Sequence, residues 1–383
     1  VIYLDNLATT PCDPAVFAVM EPWFGRFYGN AGSLHEAGRR AEQAVEAARE
    51  QIAEALGVRH REIVFTSGAT ESNNLAIKGA VRFLRQHGDK RRRVITVATE
   101  HKCVLESVRA LEDEGYEPVI LPVERDGRLS SQALRHALKT PPLLVSIMAA
   151  NNETGVLHDL ATLAPMVKEA GALLHVDMAQ ALGKIPVDLT QVDLASFSAH
   201  KLYGPKGVGA LYVRHRPRVR LQPLLSGGGQ ERGLRSGTAP VPLIVGMGEA
   251  VQRAMQGREQ EVASIKMLRD RLVAGIQARH PEVRITGEGA PRLPGVAHLC
   301  LPEGCWAQEV MDSLPDIACS TGSACSALSG APSYVLESMG FSEAEARRSL
   351  RLSVGRFTSG DDIDCVVAQL SAVLDEKCAQ RRL

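Results

Sequence analysis

The sequence predicts an α/β domain on a mainly parallel sheet, followed by a smaller α+β domain. Three observations lead there. The 383 residues exceed one compact core, which rarely grows past roughly 250 residues. Short apolar runs rich in β-branched residues alternate with longer amphipathic stretches through the first two-thirds of the chain. The composition then changes near Pro240.

Taken in order, strands are expected at residues 62–66, 94–98, 118–121, 143–148, 172–176, 193–198 and 208–213. Helical spacing of apolar positions marks 71–86, 104–114, 131–137 and 160–170 between them. Repeated strand–helix–strand order is what a parallel sheet requires, because parallel neighbours need a crossover. Residues 193–198 and 208–213 are joined by a Gly/Pro-rich turn, the one place where an antiparallel strand can enter. After Pro240 a long helix is expected over 242–279, then a Gly/Pro connector at 287–295. Short strands at 296–301 and 349–354 and helices at 308–313 and 361–374 complete the second unit. The expected large domain is 14–240, extending into the helix to about 260; residues 1–13 and 241–383 form the small one.

Composition excludes several classes of function. Forty-four basic residues balance forty-four acidic ones, so no global charge favours a nucleic acid or a membrane. The basic clusters at 90–93 and 214–220 read as solvated turns. No apolar run reaches the ~18 residues of a membrane span, and the start lacks a signal-peptide pattern. The eight cysteines are scattered, without C-x-x-C pairs or Cys/His metal spacing. That usage suits reduced thiols, and the cytoplasm is the expected location.

The chemistry concentrates in three segments. In SFSAHKLYGPKGVGALYV (196–213) a strand ends at Ser198, and an imidazole and an amine follow at His200 and Lys201. Ligands of open α/β sheets gather at such strand ends, where a desolvated lysine forms a Schiff base with an aldehyde. An isolated Ser-x-His-Lys would more simply be a surface lysine beside a turn. In LLHVDMAQALGKIPVD (173–188) an apolar strand delivers Asp177 to its carboxyl end, with Gln180 three residues on and Lys201 one strand later. A buried carboxylate needs a partner. The protonated pyridine nitrogen of pyridoxal phosphate offers one, and Gln180 is placed to donate to the ring's phenolic oxygen. In IVFTSGATESNNLAIKGA (63–80) small and hydroxylated residues open a helix, leaving N–H groups for a phosphate. A plain helix cap from Ser67 or Thr70 is the simpler reading of that segment alone.

These motifs, with ATEHKCVL, MAANNETGVL, GGGQERGLRSGT and STGSACSA in the same order, resemble the cysteine desulfurase family of aminotransferase-like pyridoxal-phosphate enzymes. The resemblance runs from LDNLATT to LSVGRFT at 352–358. It implies a fold-type I architecture with a seven-stranded sheet and a homodimer. It also implies that Lys201 binds the cofactor covalently, and that His101 stacks on the ring and moves protons. Asp177 then meets the ring nitrogen and Gln180 the ring oxygen. Thr70, Ser198 and His200 hold the phosphate with Thr238 of a second subunit, and Ala69 and Asn152 are further cofactor contacts. Asn152 and Arg356 orient the carboxylate of L-cysteine, and Cys325 takes its sulfur.

Cys325 sits among Ser, Gly and Ala in CSTGSACSALSGAPSY (319–334), which reads as a mobile surface loop rather than a core segment. A Cys319–Cys325 disulfide or two-cysteine metal site is the lesser alternative. No resident metal is expected, only transient contact of Cys325 with an iron–sulfur cluster. The expected products are L-alanine and a persulfide passed to a protein acceptor such as an iron–sulfur scaffold. A selenocysteine lyase, a general aminotransferase or β-lyase, and a non-catalytic scaffold are the rival readings. Leu7, Ala31, Gly32, Ala199 and Thr321 depart from the family pattern without removing an assigned group.

Overall fold

The computed structural model describes residues 1–322 and 332–380. A short strand, β1 (Ile2–Tyr3), precedes seven that form the main sheet: β2 (Ile63–Thr66), β3 (Arg93–Val97), β4 (Glu117–Leu121), β5 (Leu144–Ser146), β6 (Leu173–Asp177), β7 (Leu194–Ser198) and β8 (Gly209–Val213). Their order is β2-β8-β7-β6-β5-β3-β4. Only β8 runs against its neighbours, at the turn where an antiparallel strand was expected. The remaining pairs are parallel.

Helices cover both faces, so both faces of the strands carry buried apolar residues instead of one apolar and one solvated face. Ile63, Phe65, Ala195, Phe197, Ala210 and Tyr212 face one core. Val64, Leu194, Leu211 and Val213 face the other. His175 of β6 is fully buried and bridges neighbouring strands, with ring nitrogens 2.8 Å from Ser146 Oγ and 3.0 Å from Ser196 Oγ.

The predicted helix over 242–279 is two helices, Val241–Gln256 and Arg258–Arg279, separated at Gly257 with φ −100° and ψ 4°. The break follows from packing. Ile244, Met247 and Val251 belong to the sheet's core, whereas Leu268, Leu272 and Ile276 belong to another. The first of these helices lies along Glu36–Leu56, an element additional to those predicted. A Cβ on Gly248 would stand 2.9 Å from Ala48 Cα, so glycine permits the close approach.

The second core lies against an antiparallel sheet of β9 (Arg284–Ile285), β10 (Val296–Cys300) and β12 (Ser349–Ser353), with β10 central. β11 (Ile317–Ala318) pairs in parallel with β1. Residues 5–7 continue along β12: Asn6 Nδ2 donates to Ser353 O at 2.7 Å and Leu7 N to Ser353 Oγ at 3.0 Å. The chain's first residues are thereby fixed by elements more than 300 positions away. Among the described residues no helix is long and apolar enough to cross a membrane.

Three imidazoles are buried in this framework and kept neutral by desolvation: His158 is lowered to about 4, and His175 and His298 to about 3. In the unfolded chain they take protons near pH 6.5. Protons therefore bind the unfolded state preferentially as pH falls from about 6.5 towards 3–4, and stability drops through that window. Urea unfolding at pH 5 should give a free energy lower than at pH 7 by about 1–2 kcal/mol per histidine. Replacing His298 by an apolar residue should reduce that difference.

Candidate active site

Parallel register brings the predicted residues together. Asp177 is the last residue of β6 and lies opposite Ser196 of β7. β7 ends at Ser198, and the tight turn Ala199–Lys201 follows at once. Asn152 enters from the loop after β5, and the helix Ala69–Gln86 starts just beyond β2. Gly68 precedes that helix with φ +153°, a conformation that L side chains rarely adopt. A Cβ on Gly209 would lie 2.6 Å from Gly68 Cα, so glycine in β8 lets the turn settle on the sheet.

These strand ends enclose a cavity of about 480 Å³. Ala69 and Thr70 line it at the helix start, together with Asn152, Asp177, Gln180, His101, Ser198, His200 and Lys201. Lys201 Nζ donates to two backbone carbonyls, Leu7 O at 2.6 Å and Ala8 O at 2.7 Å. Burial, reinforced by Arg351, lowers its pKa to about 8 against the opposing pull of Asp5 and Asp177. His200 is lowered to about 4 by burial and by Lys201, Lys206 and Lys184, so it serves as a neutral hydrogen-bonding group, 3.1 Å from Thr9 Oγ1.

A polar chain links Asp177 to His101. Asn73 Nδ2 donates to Asp177 Oδ2 at 2.7 Å and lies 3.1 Å from Cys103 Sγ. Cys103 Sγ in turn lies 3.0 Å from His101 Nδ1, which also accepts from Cys103 N at 3.2 Å. An acceptor Nδ1 places the ring hydrogen of neutral His101 on Nε2. Burial lowers the His101 pKa, with Lys201 and Lys102 acting in the same sense and Asp177 opposing. Glu100, next to His101 in the chain, is fully buried. Burial first, then Asp177, raises its pKa well above the carboxylate range, while donation from Met148 N opposes the rise.

One predicted residue is elsewhere. Arg356 does not line the cavity: its Nη1 pairs with Asp13 Oδ2 at 2.7 Å and its Nε with Glu261 Oε2 at 2.9 Å. Arg351, five residues earlier on β12, lines the cavity instead. It donates to Asn152 O and Asp5 Oδ1, both at 2.7 Å, and its buried Nε has no partner among the described residues. A strand position so deeply buried carried no signal distinguishing it from a core residue. Thr238 is exposed and lies outside the cavity of its own chain. Cys325 lies outside the described residues. The carbonyls of Leu7 and Ala8, and the Asn73–Cys103 link, add to the site without a side-chain pattern that announces them.

The donor set suits pyridoxal phosphate. A lysine amine and a strand-end carboxylate share one cavity, and Asn152 Oδ1 is buried there with no hydrogen-bond partner among the described residues, an acceptor that a bound group would satisfy. The free N–H groups at the start of Ala69–Gln86 suit an anion.

The family model described as aminotransferase class-V matches residues 2–366. The chain is 46% identical over 378 residues to the cysteine desulfurase IscS of Rickettsia akari (strain Hartford), covering 98% of this chain and 91% of that protein. A solved structure titled NifS-like protein superposes with a TM-score of 0.90 at 35% identity, over 98% of this chain and 99% of that one. A structure titled SspA in complex with cysteine gives 0.79 at 36% identity, over 94% and 100%.

The Cys103 thiol is raised to about 12, first by burial and then by Asp177. Thiolate is the form that alkylates, so Cys103 in the folded protein should resist iodoacetamide at pH 8. It should react once the chain is unfolded in urea, as peptide mass spectrometry would show.

Proposed function

We infer that this chain, which belongs to the class-V aminotransferase family and within it to the cysteine desulfurases, uses pyridoxal phosphate to take sulfur from L-cysteine. The observation carrying this reading is the Lys201 amine, lowered to about 8 and sharing one cavity with the Asp177 carboxylate. When bound, the cofactor supplies an electron sink for the carbanion formed at the substrate's α-carbon.

The chain's own residues do the rest. Asp177 keeps a positive charge on the ring nitrogen favourable, since its carboxylate is fixed by Asn73 Nδ2 at 2.7 Å and Ala179 N at 2.9 Å. Lys201, partly neutral near pH 7–8, takes the α-proton and returns it. Arg351 holds the substrate carboxylate through its unpartnered Nε, with Asn152 beside it. We assign the substrate thiol to His101, which lines the cavity: Nε2–H donates to the sulfur, and the thiol proton is received at Nδ1 as Cys103 N releases it. Cys325 is the sulfur acceptor on the strength of its sequence motif. Its thiolate forms an S–S bond as the substrate C–S bond breaks. The electron pair stays with carbon, which takes a proton and leaves in L-alanine.

Three finer assignments belong to the same reading. The protein works as a homodimer, with exposed Thr238 of one copy completing the phosphate site of the other. The Cys325 persulfide passes to a protein acceptor such as an iron–sulfur scaffold, in the cytoplasm. A large domain runs from residue 14 through the helix Val241–Gln256, and residues 1–13 join the second core, which contains Leu4.

Cys325→Ser should keep the cofactor's visible absorbance and lose alanine production from cysteine; normal turnover would reject the thiol's role. Arg351→Lys should raise KM for cysteine about tenfold, the effect of losing roughly 1.4 kcal/mol of binding. Arg356→Lys should lower the melting temperature, through its pairs with Asp13 and Glu261, and leave KM nearly unchanged.

A further inference from the structure

Lys184 is a mostly buried cation for which, among the described residues, no carboxylate lies within ion-pair distance. Its Nζ donates to one side-chain atom, Gln180 Oε1, at 2.8 Å. Leaving a buried charge so poorly matched is costly, and a surface lysine would spare the fold that cost. The turn that carries Lys184 is tightly built. Lys184 N donates to Ala181 O at 3.0 Å, and Gly183 (φ +76°) presses so close to the helix Val241–Gln256 that a Cβ there would stand 2.8 Å from Ala254 Cβ. The ammonium is therefore held against Gln180 by the fold.

The two ends of a glutamine amide are alike in shape and opposite in hydrogen-bonding sense. An ammonium only donates, so the end facing Lys184 has to be the oxygen. The amide's N–H groups are thereby turned the other way, and one donates to Leu7 O at 2.9 Å. That carbonyl also accepts from Lys201 Nζ at 2.6 Å. Gln180 and Lys201 thus converge on one oxygen at the cavity wall.

We propose that Lys184 is a positioning residue for the cofactor: it fixes the Gln180 amide with its N–H groups towards the cavity, so that they meet the ring oxygen. The proposal rests on the reading of the cavity as a pyridoxal-phosphate site. The other charged groups acting on Lys184 are Lys201, on the turn after β7, and Glu261, on the helix Arg258–Arg279. Burial and Lys201 lower its own pKa to about 7 while Glu261 opposes, so the ammonium form that dictates the amide's orientation predominates below about pH 7.

The test is a pH titration of the visible band of the purified holoenzyme. An N–H donor on the ring oxygen favours the deprotonated cofactor, so Lys184→Met, which frees the Gln180 amide to turn, should move the titration midpoint up by about one pH unit. Lys184→Arg, which keeps a charged donor, should restore most of the wild-type midpoint. In a Gln180→Ala background, Lys184→Met should add much less than it does alone. A wild-type midpoint in Lys184→Met overturns the proposal, as does a full shift in the Gln180→Ala background, which would leave only a direct charge effect. Should Lys184→Met not fold, Lys184→Gln serves, because a glutamine can present either end and dictates no orientation. The same upward shift supports the proposal there and an unmoved midpoint overturns it. A wild-type protein without any visible band rejects the cofactor reading itself, a result distinct from all of these.

Discussion

Two peptide carbonyls, those of Leu7 and Ala8, fix the Lys201 amine from one side, while the strand end of β7 fixes it from the other. Everything in the cavity is arranged relative to that amine, so the placement of residues 5–8 matters as much as the sheet. They are held by the Asp5–Arg351 ion pair, by Asn6 and Leu7 hydrogen-bonded to Ser353, and by Leu7 packed with Ala150, Leu293 and Val296. Thr10 adds a bond from its hydroxyl to His200 O at 3.0 Å. Leu7, a departure from the family pattern, thus contributes an apolar anchor with its side chain and an acceptor with its backbone.

The cavity's electrostatics divide by burial. Desolvation penalises whichever form of a group is charged, lowering Lys201, Lys184 and the histidines and raising Glu100 and Cys103. The result is a set of amines that can lose protons near neutrality beside a carboxyl that keeps its own. Arg351, always charged, stands apart as the fixed cation for an anionic ligand. Such separation of proton affinities within one site is the usual footing for acid–base chemistry.

Much of this was legible in the sequence because it is local. Each predicted strand of the sheet appears within a residue or two of its expected span, and the motifs around Asp177 and Lys201 name side chains whose direction is set by the strand they end. The misplaced features depend on distant partners. Arg351 lies in the middle of β12 and Arg356 three residues beyond its end. Only the positions of Asp13 and Glu261, hundreds and tens of residues away, tie up Arg356 and leave Arg351 facing the cavity. The break at Gly257 is similar. The apolar spacing is helical on both sides, and what changes is the core that each half covers. Backbone acceptors such as Leu7 O have no residue type by which to be recognised.

The pairing of β1 with β11, and of residues 5–7 with β12, also orders events in time. A ribosome releases residues 2–8 long before Ile317–Ala318 and Ser349–Ser353 exist to receive them. The main sheet, complete in sequence by Val213, can assemble while this leading stretch still lacks its partners. The strand that carries the lysine is then complete before the partners that hold residues 5–8 are made. The wall that closes the pocket thus depends on β11 and β12, which follow the whole main sheet in the chain.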